Sequence, residues 1–351
     1  MHKYTFIWYL AIGNKKWLTV FVLFLLASAS IWGDSVQFRA GIDWEQSEKA
    51  RIFDKVLPFS PVGGFGSPLF FALEPSQSTM FRSDIQGPLL SLGFLVPVEE
   101  FEISLNGSYS FPGGLRGPLT DSDYLKLNEG PTGIRHLPGG PNTGDSVYSS
   151  SPTLDTTVSK LTGSTTKAQL EFALGARIGH YSLDSVFRYT ESRMDAQSDG
   201  QTIFYGALGP RVVIAYAPLS YSLVDFERGA GLRVARSWKW LSWTIKGTVA
   251  FGYLDQNSSF HNYTRNLTLY WNTHGLYAAG DLALWYHWSN SDVRIYGRFA
   301  MYRSSSIGTS SLSLIGGLTA FGQGFTNANL PSIARIEERR SNIEIGIVLA
   351  P

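Results

Sequence analysis

The chain of 351 residues contains no cysteine, so no disulfide holds it together, and its stability must come from burial and hydrogen bonding alone. Charge is scarce too: 16% of residues are charged and the formal net charge is +1. That balance argues against nucleic acid or any other polyanion as a partner. Beyond residue 33 no run of 18 consecutive apolar residues occurs, which excludes a membrane-spanning helix there. No metal-ligand cluster, nucleotide-binding loop or Ser-His-Asp order stands out, and no cofactor is expected.

What is present is a period-two rhythm. In the stretch Phe101 to Phe111 every odd position is apolar or Gly and every even one is polar. From Leu241 to Tyr253 the rhythm returns, with Trp243, Ile245, Val249 and Phe251 on one side and Ser242, Thr244, Lys246 and Thr248 on the other. Strand side chains alternate faces, so each segment has one apolar and one polar face. Aromatics are dense (10 Trp, 17 Tyr, 22 Phe) and Gly is abundant at 36. At the start, Lys15 and Lys16 precede the apolar run Trp17 to Ala27, followed by small residues around Ala27-Ser28-Ala29 and at Gly33. This reads as an export signal over residues 1–33, with one domain over 34–351. Together these features give an all-β fold: a ten-stranded antiparallel transmembrane β-barrel with long extracellular loops, in the bacterial outer membrane. A secreted soluble β-protein is the alternative.

Ten strands are expected near 36–53, 78–97, 99–112, 164–178, 180–195, 210–225, 233–254, 265–288, 291–304 and 338–350. Several exceed the roughly 9–11 residues a bilayer needs and should stand clear of it on one side. Tight turns at Val96 to Glu99, Ile178 to His180 and Ser289 to Ser291 read as periplasmic ends, and the polar segments 112–163 and 305–337 as external loops.

Four pieces carry a resemblance to a family. Gly117-Pro118-Leu119-Thr120-Asp121-Ser122-Asp123-Tyr124 resembles the Gly-x-x-x-Asp-x-Asp-Trp segment of the omptins, ten-stranded outer-membrane aspartate/histidine endopeptidases. Tyr189-Thr190-Glu191-Ser192-Arg193 is similar to their Tyr-x-Glu-Ser-Arg stretch, His261-Asn262-Tyr263 to their loop His and aromatic, and Lys49 to Phe53 to a first-strand segment. The order agrees across about residues 36–351. The resemblance implies a groove at the outer rim in which Asp121 and Asp123 hold a water and His261 acts as general base. An imidazole is a base near neutral pH, and a carboxylate partner orients it. Where the family carries that orienting Asp, this chain has Ser259, so Ser259 or Asp255 would have to substitute. The family's acidic substrate-binding positions correspond to Ala50 and Asn257, with Glu48 and Glu45 nearby as a displaced acidic pocket.

Glu191 and Arg193 are expected as a charged ladder inside the barrel, and Lys246, Arg236, Arg294 and Arg298 in the lumen or, near a rim, on lipopolysaccharide phosphates. The expected function is an omptin-like endopeptidase with a modified site; the alternatives are a catalytically silent omptin-fold adhesin or binding barrel and, last, a porin-like or structural barrel. The expected partners are outer-membrane lipid and a peptide substrate, protein substrate or host surface ligand. Lipopolysaccharide is the candidate activating lipid, and a monomer is expected.

Overall fold

The computed structural model describes residues 36–56, 75–127, 135–136, 146–147, 155–206, 209–214, 220–263, 267–288, 292–314 and 332–349. The expected export signal, residues 1–33, lies outside them. The alternating residues form strands throughout, and no helix occurs among the described residues. The strands are β1 (Gln37–Val56), β2 (Pro75–Val98), β3 (Phe101–Tyr109), β4 (Leu115–Leu127), β5 (Arg135–His136), β6 (Ser146–Val147) and β7 (Asp155–Ile178). They continue as β8 (Tyr181–Gly206), β9 (Gly209–Ile214), β10 (Ser220–Trp240), β11 (Trp243–Asn262), β12 (Leu267–His287), β13 (Val293–Leu314) and β14 (Ser332–Leu349).

These strands close into an antiparallel barrel with ten positions around the ring. β3 and β4 share the third position, because both pair with β2 on one side and β7 on the other. β9 only prolongs β8 as a hairpin, and β5 and β6 pair with each other. The ring closes where β1 meets β14, from Phe38 opposite Leu349 to Lys55 opposite Ser332. Closure leaves no open edge whose backbone groups would go unpaired in lipid. Both described termini and the turns at Glu99-Glu100, Gly179-His180 and Leu241-Ser242 lie at one end, the turn end; the longer connections lie at the opposite, loop end.

Several strand boundaries differ from the sequence-based expectation: β8 runs on to Gly206, and β13 and β14 extend into the external loop expected over 305–337. The turn expected between 225 and 233 is absent: β10 runs straight through, and the chain reverses at Leu241-Ser242 instead. Gly229 and Gly231 look like turn residues but make room for a ring. A Cβ on Gly231 would sit 2.6 Å from the Tyr277 hydroxyl and 2.2 Å from the Phe251 carbonyl oxygen. The external loop expected over 112–163 is also largely strand in its described residues. The third barrel strand breaks at Pro112-Gly113-Gly114, then resumes as β4. Gly117 permits that return, since a Cβ there would lie 1.8 Å from the Asp84 carbonyl oxygen.

The outward faces form an apolar belt around the turn-end part of the wall. It ends abruptly: Trp44 gives way to Gln46, Tyr253 to Asp255, Leu276 to His274, Met301 to Arg303 and Ile343 to Ser341. Register puts these steps side by side, with Tyr253 opposite Leu276, Asp255 opposite His274, and Met301 opposite Ser341. Exposed Tyr181, Trp238, Trp240 and Trp243 line the turn-end margin as an aromatic girdle.

The lumen is filled in storeys. Within the belt it is polar: Arg233 bridges Glu171 and Asp184, each at 2.7 Å, and Arg298 lies 3.3 Å from Asp281. At the belt margin Arg340 reaches Glu227 at 3.0 Å and stacks 3.9 Å over Tyr302, while Lys167 holds Glu45 at 2.5 Å. Loopward of that, Arg51 and Lys49 grip Asp225. Above these charges the lumen turns apolar, with Phe81, Leu119, Leu161, Leu223, Phe260 and Trp271 buried against one another.

Candidate functional site

The inward positions at the loop end are odd on β4 and β10 and even on β11. Leu115 and Leu119 on β4, Tyr221, Leu223 and Asp225 on β10, and Gln256, Ser258 and Phe260 on β11 are all buried. Asp121 has the inward parity. Its carboxylate accepts a hydrogen bond from the Tyr221 hydroxyl at 2.5 Å, at the edge of the apolar cluster. Asp123 lies two residues further along β4, and its side chain lies outside the described part of the structure. Both were expected in a loop, and both stand on a strand.

His261, Ser259, Asn257 and Asp255 have the opposite parity. All four are half-buried on the outer face of β11, rather than on a loop following it. His261 Nδ1 lies 2.8 Å from the Thr268 hydroxyl, and its ring meets Tyr263 edge-on at 4.5 Å. The wall of the barrel therefore separates His261 from Asp121; the geometry does not bring them to a common groove. Ser259 and His261 do share a face, as the spacing of two implies. Asp255 contacts a different histidine: its Oδ1 lies 3.0 Å from His274 Nδ1, across the register pair of β11 and β12. His274 also stacks on Tyr253, with centroids 6.2 Å apart. Arg228 is opposite Asp255 on the β10 side, so this pair belongs to the charged ring above the belt.

The substrate-binding positions fall on the outside as well. Ala50 and Glu48 have the outward parity of β1, and Glu48 is ion-paired with Arg82 at 2.5 Å. Glu45 points inward and is fully buried against Lys167 and Gln169. Glu48 and Glu45 thus face opposite sides of the wall and form no joint acidic pocket. Glu191 and Arg193, expected inside, lie on the outer face, where Glu191 accepts from Tyr189 at 3.4 Å and Arg193 pairs with Asp195 at 3.5 Å. Lys246 and Arg298 do face the lumen, whereas Arg236 faces outward.

Sequence reasoning missed the group that dominates the loop-end lumen. Asp225 accepts from Arg51 and from Ser258 at 2.6 Å, and Lys49 lies 3.3 Å away. Asp225 stands loopward of the belt. Burial alone would raise its carboxyl, but the Arg51 and Lys49 charges overcome this and hold it well below the usual carboxylate range. Every oxygen of this carboxylate is committed to a cation or hydroxyl, which leaves no proton-accepting face for chemistry. His274 was also missed. Its pairing with Asp255 can be read only once β11 is known to begin at Trp243.

No family model matches the chain, and no curated relative matches it. Among solved structures, it is similar to the outer membrane protease OmpT from Escherichia coli, with a TM-score of 0.59 at 11% identity over 91% of this chain and 97% of that one. The chain has an omptin-like fold. Looser likenesses are the translocator domain of the autotransporter NalP from Neisseria meningitidis (TM-score 0.37, 10% identity, 88% of each chain) and the toluene transporter TodX from Pseudomonas putida (0.31, 9%, 91% and 90%). The likeness to OmpT is one of architecture, that of an outer-membrane β-barrel.

Proposed function

We propose that this omptin-like barrel is a catalytically silent surface protein of the bacterial outer membrane, whose loop end serves in binding. The observation that carries this reading is the parity of β11. His261 and Ser259 belong to its outer face, while Asp121 is bonded to Tyr221 on the lumen side. The hydrolysis that the resemblance implies needs His261 and Asp121 within about 3 Å of one water. Among the residues with described side chains, the loop-end histidines are His261 and His274, and both have outward parity. The Asp255–His274 pair has the composition of a dyad, but it stands on the outer face at the belt margin, where among the described residues no second carboxylate pair confronts it. A pore is disfavoured because an apolar cluster and a buried ionic network both block the lumen.

The test is peptide cleavage by the barrel refolded in lipopolysaccharide-containing micelles, using a mixed library, alongside Ser259→Asp and a planar-bilayer conductance trace. The expected result is no cleavage by either protein and no stable conductance. Ser259→Asp supplies the family's carboxylate beside His261 yet leaves it across the wall from Asp121. Cleavage by the wild type that both His261→Ala and Asp121→Ala abolish would overturn the proposal in favour of the endopeptidase.

A further inference from the structure

Arg236 is an outward-facing cation on the lipid side of the barrel, near the turn end. Its guanidinium lies 5.1 Å from the Tyr181 ring centroid and 5.0 Å from that of Trp238, so two girdle aromatics hold it from either side. Those rings satisfy its charge in part but accept none of its in-plane N–H donors in good geometry. Among the described residues it has no carboxylate within ion-pair distance, whereas lumen arginines such as Arg233, Arg298 and Arg340 each have at least one. Asp281, on β12, is engaged by Arg298, and Asp184, on β8, by Arg233.

Beside Arg236 the wall is dented. Gly247 is its register partner on β11 and also has outward parity, so that strand offers no side chain at this point. The result is an open hollow of about 400 Å³, floored by Gly247 and flanked by Val234, Val249 and the Trp238 indole. Loopward along β10 the outer face is apolar through Val234, Leu232 and Ala230 until Arg228. Arg236 and Arg228 are eight residues apart, about 20 Å along the normal for a strand tilt of about 40°, close to the height of the apolar band of such barrels. The two arginines therefore mark opposite margins of the belt on this strand.

We infer that Arg236, clamped between Tyr181 and Trp238, binds the phosphate of a glycerophospholipid in the turn-end leaflet, with one acyl chain lying in the hollow over Gly247. The chemistry is complementary at both ends. An arginine presents paired donors to two phosphate oxygens, and the apolar hollow runs from that point toward the bilayer centre. This inference rests on the outer-membrane reading, in which short turns face the periplasm and that leaflet holds phospholipid. It does not depend on whether the loop end is catalytic.

Native mass spectrometry of the full barrel in maltoside micelles, with added phosphatidylglycerol, tests it. The wild type should keep one phosphatidylglycerol after the detergent is stripped, and should discriminate against diacylglycerol, which lacks the phosphate. Arg236→Gln should lower the retained fraction about tenfold. Gly247→Leu should lower it with the cation intact, because a Cβ at Gly247 meets the Trp238 ring at an ordinary 3.5 Å while the rest of the side chain fills the hollow. Arg193→Gln, at an outward arginine on the loop-end side, should change nothing. Heat-modifiable migration on gels confirms that each variant is folded. Equal retention in Arg236→Gln and wild type, or equal retention of diacylglycerol, would overturn the proposal. Should Arg236→Gln fail to fold, undiminished retention by folded Gly247→Leu would do so.

Discussion

Above the apolar belt, the inner and outer faces of the same wall differ in how completely their groups are committed. On the inner face, Asp225 is gripped by Arg51, Lys49 and Ser258, and Phe81 packs against Phe260, with centroids 4.2 Å apart, and against Tyr221 and Trp271. On the outer face, one residue away on β11, Asn257, Ser259 and His261 are half-buried, and His261 touches Thr268 and Tyr263. The inner groups are joined across the lumen by residues distant in sequence, so they hold the barrel closed at its loop end. The outer groups meet immediate cross-strand or sequence neighbours, and can change at little cost. A hydrolytic site would need one group from each face.

That contrast gives an ordered set of expected effects. Asp225→Ala should be the most damaging change, because it leaves the buried Arg51 without an acid and Lys49 with Glu338 alone; a loss of about 3–5 kcal/mol should appear as a lowered urea midpoint for the folded gel band. Phe81→Leu should cost about 1–2 kcal/mol in the same measurement by loosening the ring cluster. Tyr221→Phe removes the donor to Asp121 and should cost about 1 kcal/mol, separating that hydrogen bond from ring packing. His261→Ala should shift the midpoint by no more than about 0.5 kcal/mol, as expected for a residue outside the packed interior. A destabilisation by His261→Ala comparable to that of Asp225→Ala would erase the distinction between the faces.

The barrel itself was legible because period-two alternation is a local property that survives errors in strand ends. Boundaries were less legible for a physical reason visible at two places. Residues 226–232 fell between two expected strands, whereas β10 runs through them and Gly229 and Gly231 clear space for Tyr277, a residue more than forty positions later. The real turn is made by Leu241 at a φ of 53°, a residue type that gives no turn signal. An error of this kind matters for a site because alternation has a period of two: the face on which His261 lies depends on whether residues 255–262 are loop or strand. In a loop, His261 could have reached the rim groove; on β11 its face is set by alternation with the buried positions Gln256, Ser258 and Phe260 before it and Asn262 after it. The Asp225 cluster was illegible for a different reason. Arg51 and Asp225 are 174 positions apart, and only the closure of the ring brings them together.

The absence of native cysteine allows the central claim, that the wall separates His261 from the lumen, to be tested one position at a time. Single cysteines at positions 258, 259, 260 and 261 would be exposed to a bulky maleimide in the folded barrel and again after unfolding. The account expects Ser259→Cys and His261→Cys to label in the folded state, and Ser258→Cys and Phe260→Cys to label only once the barrel is unfolded. The reverse pattern, with 258 and 260 reactive and 259 and 261 protected, would contradict it and return His261 to the side of Asp121.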